Sequence, residues 1–209
     1  MKKILLADDH NVVRKGLKQI LADEFSEVEL GEACNGTEAY RMVKEKKWDL
    51  LILDINMPGK SGLEVLKQLK DENISLPTLV LSMHPEEQVA MRALKLGASG
   101  YLSKDIVDTE LIVAVNKILS GRKYITLSLA EQMASKLENP DDKAPHELLS
   151  DREYQTLLLF AEGKTVSQIA DKLCLSVPTI STFRARILEK MAMKTTAEMV
   201  NYAIRNNLV

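Results

Sequence analysis

The stretch Leu50-Leu51-Ile52-Leu53-Asp54 decides the fold of the first half of this 209-residue chain. Four consecutive aliphatic residues predict a strand that is covered on both faces, because a strand with one wet face alternates apolar and polar residues. Fully covered strands are typical of parallel sheets, and ligands bind beyond the carboxyl ends of such strands. An aspartate stands at that end here.

Similar short runs occur on both sides of this stretch, and they alternate with helical segments of ten or more residues up to about residue 121. Asn35 and Ser61 are each followed three residues later by Glu, which is the spacing of a helix N-cap. The alternation predicts a five-stranded parallel α/β sheet. The predicted strands are Lys3 to Asp8, Val28 to Cys34, Asp49 to Asp54, Thr78 to Ser82 and Gly100 to Ser103.

The alternation stops after Gly121, and the rest of the chain is predicted to be helical. A helix from Leu127 to Leu137 leads into a polar segment with two prolines, Glu138 to Pro145, which is typical of a linker. Capping boxes at Ser150, Thr165 and Thr195 then begin helices predicted over 151–162, 166–173, 177–191 and 196–206. We therefore divide the chain into residues 1–121, a connecting helix and linker over 122–147, and a second domain over 148–209.

Composition excludes several classes of protein. There is no run of 18 apolar residues, and Asp8 and Asp9 interrupt the apolar start too early for a secretory signal, so we expect a cytoplasmic protein without a membrane span. Cys34 and Cys174 have no partner at metal-ligand spacing, and we expect both to be reduced packing residues. The net charge is −2, so the chain has no excess of basic residues that would by itself indicate a nucleic-acid partner.

Polar side chains at the predicted strand ends are the candidates for chemistry. Three carboxylates crowded at one edge repel each other, and they stay ionised when a cation lies among them. Hard oxygen ligands with few protein contacts suit Mg²⁺. His10 and His84 lie nearby in sequence, and we expect both to be structural rather than catalytic. The strand-end residues are Asp8, Asp9, Asp54, Ser82 and Lys104.

These residues and their spacing resemble the receiver domain of bacterial two-component response regulators over residues 1 to 121. Ser82 and Lys104 are 22 residues apart, as the switch residue and the lysine of that family are. The stretch from Gly97 to Lys104 also resembles the family's sequence around its fifth strand. The motifs that carry the resemblance are Asp8-Asp9, Asp54 with Asn56-Met57-Pro58-Gly59, Ser82, Tyr101 and Lys104.

The resemblance implies a flavodoxin-like (βα)5 fold and a role for each residue. Asp54 would accept a phosphoryl group from a phosphohistidine on a sensor histidine kinase. Mg²⁺ would be held directly by Asp9, Asp54 and the backbone carbonyl of Asn56, with Asp8 acting through water. Acyl phosphate formation depends mainly on positioning and charge neutralisation, and Lys104 would supply a positive charge. Ser82 would hydrogen-bond the phosphoryl group, and Tyr101 would move inward behind it.

The C-terminal helices have the proportions of a helix-turn-helix motif. Ser176 can cap the helix that begins at Val177, and Pro178 is tolerated in its first turn. We expect the first exposed residues of this helix to meet base edges, and its later Arg and Lys residues to contact phosphates. The candidate DNA-binding residues are Thr179, Ser181, Thr182, Arg184, Ala185, Arg186 and Lys190.

The wider pattern resembles the LuxR-type effector domain of NarL/FixJ-type regulators over about 148 to 208. It is carried by Leu149 to Glu153, Gly163 to Ala170 and Leu175-Ser176 with Thr179-Ile180. The run Ser181 to Arg186 departs from many relatives and is more similar to the BvgA/UvrY branch. The base preference of better-known family members therefore does not apply to this chain.

Residues 150–209 hold 8 Lys and Arg against 6 Asp and Glu, a balance of only +2, so we expect a dimer to supply enough phosphate contacts. A twofold dimer predicts an inverted-repeat site. The candidate dimer stripe is Met199, Tyr202 and Ala203, although Met199 and Ala203 could equally pack within their own domain.

The favoured function is a phosphorylation-activated transcriptional regulator, which catalyses only its own phosphotransfer and is otherwise not an enzyme. Its expected partners are a sensor histidine kinase, double-stranded DNA, RNA polymerase and a second copy of the chain. One alternative is a receiver whose helical domain binds protein. A phosphatase of the haloacid-dehalogenase kind is another, but it would have a second aspartate where Asn56 stands. The third is an orphan regulator that ignores phosphate.

Overall fold

In the computed structural model, which describes residues 1–83, 86–138, 144–206 and 208, the chain divides into two compact units. The first unit is Met1–Met133 and the second is Ala134–Val209. The first unit therefore extends beyond residue 121, the end that the sequence predicts for the receiver. His84 and most of the predicted linker lie outside the described residues.

The first unit is built on a five-stranded parallel sheet with strand order β2-β1-β3-β4-β5. All five residues of the central strand β3 are buried, as its apolar sequence predicts. The strand order reverses between β1 and β3, and ligands bind at such a reversal in open α/β sheets. The strands are β1 (Lys2–Ala7), β2 (Val28–Ala33), β3 (Leu50–Asp54), β4 (Thr78–Ser82) and β5 (Gly100–Ser103).

Helices separate the strands along the chain, and their apolar residues join those of the sheet in the core. Leu17 and Leu21 of the first helix and Leu111 and Val115 of the fifth pack in one cluster with β1, β3 and β4. The helices of this unit are α1 (Asn11–Glu24), α2 (Gly36–Glu45), α3 (Gly62–Asp71), α4 (Glu86–Lys95) and α5 (Val107–Leu119), and α6 (Leu127–Glu138) begins in it.

A tight connection fixes the carboxyl end of β3. Gly59 has φ +71°, a conformation that favours glycine, and Ser61 forms a complete capping box with Glu64 at the start of α3. A Cβ atom on Gly62 would lie 2.2 Å from the backbone oxygen of Asp54, so only glycine lets α3 begin this close to the strand. The connection therefore restrains the aspartate that ends β3.

The segment after α5 extends the sheet at its β5 edge. Tyr124 forms an isolated parallel bridge with Gly100, and its N–H donates to the carbonyl of Ser99 at 2.9 Å. The Tyr124 hydroxyl donates to Glu110 Oε2 at 3.0 Å. These contacts explain why the first unit continues past α5.

The second unit is helical, as the sequence predicts. Ser150 and Thr165 form complete capping boxes, whereas Thr195 caps its helix but Glu198 reaches back to the N–H of Lys194 at 2.8 Å. A 3-10 turn, Pro145–Leu148, precedes the first helix where a linker was predicted. The helices are α7 (Asp151–Ala161), α8 (Val166–Leu173), α9 (Val177–Lys190) and α10 (Thr196–Arg205).

The two cysteines do not pack in the interior, and that expectation is wrong. Both Cys34 and Cys174 are free and exposed. Cys174 ends α8 in the left-handed conformation, with φ 53°, and so makes the sharp turn between α8 and α9. Among the described helices, none is long and apolar enough to span a membrane.

Candidate functional site

The strand ends bring four potential metal ligands together at the edge of the first sheet. Asp8 and Asp9 follow β1, and Asp54 ends the neighbouring strand β3. One ligand atom from each of these residues and from His10 lies within 4.8 Å of the others. The imidazole Nδ1 of His10 is 2.8 Å from Asp9 Oδ1 and 3.3 Å from Asp8 Oδ1. His10 thus belongs to the cluster through its position in the chain next to the two aspartates.

A single buried cation, the ammonium of Lys104, joins two of the carboxylates. Its Nζ atom lies 2.6 Å from Asp8 Oδ2 and 3.1 Å from Asp54 Oδ2. The Lys104 side chain is only 8% exposed. Burial alone would lower the pKa of Lys104, but the charges of Asp54 and Asp8 outweigh it and raise that pKa. The lysine is therefore held in its charged form.

The carboxyl group of Asp54 is difficult to ionise in this setting. Burial, opposed by Lys104 and reinforced by Asp8, raises the pKa of Asp54 to about 6. A backbone hydrogen bond from Asn56 acts in the other direction. One lysine does not fully compensate the two buried carboxylates, so the ionised form of Asp54 is kept at a cost in folded stability.

The site chemistry fits a small divalent cation. Asp8 Oδ2 and Asp54 Oδ2 are buried and meet the Lys104 ammonium, yet neither accepts a hydrogen bond of good geometry from the described residues. Asp9 adds a third carboxylate on the more exposed side. Oxygen ligands with excess negative charge are what Mg²⁺ prefers. The ligand role of the Asn56 carbonyl stays a prediction.

The two predicted switch residues lie on the adjacent strands and are both fully buried. Ser82 ends β4 and pairs in register with Ser103, the residue before Lys104. Tyr101 is 0% exposed, so its side chain is already buried in this structure, where inward movement is expected on phosphorylation. Their switching roles stay predictions.

The second unit presents α9 with one buried and one exposed face. Ile180 and Ile187 are fully buried, whereas Arg184, Ala185 and Arg186 are exposed. In the part of the chain that the structure describes, neither guanidinium has a hydrogen-bond or ion-pair partner. These two cations are therefore available to an external anion.

The polar side chains of the first turns of α9 are partly engaged by the helix itself. The Ser176 hydroxyl caps the N–H of Thr179 at 3.2 Å and lies 2.7 Å from the Thr179 hydroxyl. The Thr182 hydroxyl donates to the carbonyl of Pro178 at 3.0 Å, and Ser181 is half-buried. A hydroxyl that donates to the backbone still offers its lone pairs to a base edge.

Lys190, predicted to contact DNA, has a partner inside its own domain. Its Nζ atom lies 2.6 Å from Glu153 Oε2, and the Glu153 side chain is only 3% exposed. Burial would raise the pKa of Glu153, but Lys190 and the Ser150 cap outweigh burial and lower it. The pair ties the last turn of α9 to the first turn of α7. The sequence predicts that Glu153 completes the capping box of Ser150, but it does not predict the ion pair with Lys190.

The predicted dimer stripe needs a correction. Met199 and Ala203 are both 0% exposed, so they pack within their own domain, which is the alternative left open by the sequence. Tyr202 is half-buried, and its hydroxyl lies 2.9 Å from His146 Nδ1. An apolar period of three to four residues could not distinguish a domain core from a dimer face.

Comparison with known families agrees with both units. Residues 4–116 match the family described as response regulator receiver domain. The chain belongs to the response regulators. Residues 147–203 match the family described as bacterial regulatory proteins, luxR family, so this response regulator combines a receiver with a LuxR-type helix-turn-helix domain.

Two relatives that match along the whole chain are named response regulators. Response regulator GacA of Pseudomonas syringae pv. syringae is 34% identical over 210 residues, which cover 100% of this chain and 98% of the relative. Response regulator UvrY of Escherichia coli is 33% identical over 209 residues, which cover 100% and 96% of the two chains. The resemblance to the UvrY branch is thus confirmed, and the chain is a two-component transcriptional regulator.

A solved structure also matches across both units. RcsB from Salmonella enterica serovar Typhimurium, bound to promoter rprA in the presence of a beryllofluoride phosphomimetic, has a TM-score of 0.65 and 27% identity. The match covers 96% of this chain and 97% of that one.

The raised pKa of Asp54 gives a prediction for metal-free protein. Because the folded pKa of about 6 exceeds the ordinary value of 3.8, the folded state binds more protons than the unfolded state, and stability falls as the pH rises through this window. Asp54→Asn lacks this loss. We expect the stability of the variant relative to wild type to increase by on the order of 1 kcal/mol from pH 5 to pH 8, because about one pKa unit of the shift acts over this range.

Denaturant unfolding with a chelator present measures this difference. Trp48 is the single tryptophan and lies in the first unit, so its fluorescence follows that unit alone. Asp9→Asn, which removes a more exposed carboxylate of the same cluster, is the control and should keep the pH dependence of wild type. An Asp54→Asn variant whose stability changes with pH as wild type does would contradict the account.

Proposed function

We propose that Asp54 is the phosphoacceptor of this regulator and that its phosphorylation switches dimerisation and promoter binding. The observation that carries the proposal is the buried Asp54 carboxylate, which lies 3.1 Å from Lys104 Nζ. It belongs to a cluster of acidic groups at the edge of the sheet where the strand order reverses. Such a carboxylate can attack phosphorus, while a cation nearby neutralises the charge that builds on the phosphoryl oxygens.

The reaction takes the phosphoryl group from a phosphohistidine on a sensor histidine kinase. An oxygen of Asp54 forms a bond to phosphorus, the P–N bond breaks, and its electron pair returns to the imidazole of the kinase. Asp8, Asp9, Asp54 and the Asn56 carbonyl would hold Mg²⁺, which supplies further charge neutralisation when bound. Lys104 pairs with the transferred group once Asp54 carries the acyl phosphate.

The chain modifies itself and does not turn over a substrate. A haloacid-dehalogenase phosphatase would have a second aspartate two residues after the nucleophile, and this chain has Asn56 there. The acyl phosphate therefore persists as a signal. Its added charge of about −1.5 to −2 offers a hydrogen-bond acceptor to Ser82, and rearrangement of the buried Tyr101 on the adjacent strand β5 then carries the change to the surface.

Helix α9 reads double-stranded DNA in the major groove in this proposal. Its exposed Arg184 and Arg186 are free cations in the described structure, and the similar RcsB structure is bound to a promoter. Because Lys190 is paired with Glu153, one copy offers few phosphate contacts. A homodimer on an inverted-repeat promoter site doubles them. Such a regulator acts in the cytoplasm, where RNA polymerase is its further partner.

Beryllofluoride, an acyl-phosphate mimic, tests the switch. We expect its addition with Mg²⁺ to raise the mass measured by light scattering from monomer toward dimer and to tighten binding to an inverted-repeat promoter fragment. Asp54→Ala is the matched control, and it should respond in neither measurement. Unchanged mass and unchanged affinity of the wild-type protein would refute the switch.

Substitution of Arg186 tests α9 as the reading helix. Arg186→Ala should weaken promoter binding about tenfold or more and reduce the slope of log affinity against log salt by about two, one phosphate contact from each subunit of a dimer. Arg205→Ala, which removes an exposed arginine from α10, is the charge-matched control and should change both less.

DNA affinity without salt dependence, or equal effects of the two arginine substitutions, would count against α9. A DNA affinity that does not depend on salt would also favour the alternative in which the helical domain binds protein.

A further inference from the structure

Arg14 makes a contact with the acidic loop that is separate from the ligand groups. It lies on α1, its side chain is 13% exposed, and its Nη1 atom donates to the carbonyl oxygen of Asp8 at 2.6 Å. The Asp8 N–H still donates to Ala33 O of β2 at 3.2 Å, as a strand residue does. The carbonyl of Asp8 therefore lies where the chain leaves the sheet and turns toward Asp9.

A second residue holds the guanidinium in place. Glu32 of β2 accepts from Arg14 Nε at 3.4 Å and pairs with Lys18 Nζ at 2.5 Å. The hydrogen bond from Lys18 lowers the pKa of Glu32, so this carboxylate stays ionised. The planar guanidinium thus spans from β2 to the end of β1, which a single ammonium could not do with the same geometry.

We infer that Arg14 is a positioning residue, which fixes the backbone at Asp8 and thereby the spacing of the carboxylates that would hold a divalent cation. The inference rests on the metal site of the proposed function. Asp8, Asp9 and Asp54 repel one another, and this repulsion favours an opened loop. Two hydrogen bonds hold the turn closed against this repulsion. The N–H of His10 donates to the side-chain Oδ1 of Asp8 at 2.8 Å, and Arg14 donates to the backbone carbonyl of Asp8.

The charge of Arg14 and its hydrogen bond to the Asp8 carbonyl have opposite expected effects on Mg²⁺ affinity. The positive guanidinium repels a cation in the nearby cluster, so loss of charge alone would tighten Mg²⁺ binding. Loss of the carbonyl contact would let the ligands spread and would weaken binding. Groups that orient metal ligands typically change metal affinity by 10- to 100-fold when they are removed.

Calorimetric titration of the full chain with Mg²⁺ separates the two effects. We expect Arg14→Gln to weaken Mg²⁺ binding about tenfold or more. Arg14→Lys, which keeps the charge but lacks the planar fork, should weaken it less. Lys18→Gln removes the other cation from Glu32 without touching Asp8, and it should bind Mg²⁺ much as wild type does. Tighter binding by Arg14→Gln with unchanged binding by Arg14→Lys would overturn the inference.

Hydrogen exchange of the His10 amide in metal-free protein provides a readout that does not need the cation. In Arg14→Gln the turn should open more often, and the His10 amide should therefore exchange faster than in wild type. The amides of β3 should keep their protection, which shows that the variant is folded. Unchanged exchange at His10 would overturn the inference. A wild-type protein that binds no Mg²⁺ would instead refute the metal site of the proposed function, and the exchange result would still decide for or against Arg14.

Discussion

The buried contact of one ammonium with two carboxylates is the constraint on which the first unit depends. Lys104 Nζ lies 2.6 Å from Asp8 and 3.1 Å from Asp54, so the carboxyl ends of β5, β1 and β3 must converge at one edge of the sheet. Removing Lys104 would leave two buried carboxylates without a cation, which is strongly destabilising, whereas removing the charge of Asp54 leaves the ammonium paired with Asp8 alone. Burial and the neighbouring Asp8 raise the pKa of Asp54 despite Lys104, and the excess of negative charge favours a bound cation.

The sequence predicted the elements well where local rules decide them. Leu50–Asp54 is a fully buried strand because four aliphatic residues require cover on both faces, and Ser61, Ser150 and Thr165 cap helices where their spacing to Glu or Gln indicates. The convergence of Asp8, Asp9 and Asp54 also follows from strand ends in a parallel sheet.

Contacts between distant parts of the chain could not be predicted in this way. The Glu153 capping residue gave no sign that Lys190 would pair with it 37 positions later. Met199 and Ala203 show an apolar period that fits a dimer face or a domain core, and only packing decides between them. Similarly, nothing in the spacing of Arg14 identifies the Asp8 carbonyl as its partner. The net charge of −2 hides a mildly basic domain, in which helix α9 of the described structure carries two arginines without a partner, Arg184 and Arg186.

The most direct measurement is phosphorylation of the purified chain by a small donor with a P–N bond, followed by mapping of the acid-labile phosphate. We expect Mg²⁺ to accelerate labelling, the label to reside on Asp54, and Asp54→Ala to abolish it. Normal labelling of the Asp54→Ala protein, on Asp9 or any other residue, would contradict the central claim.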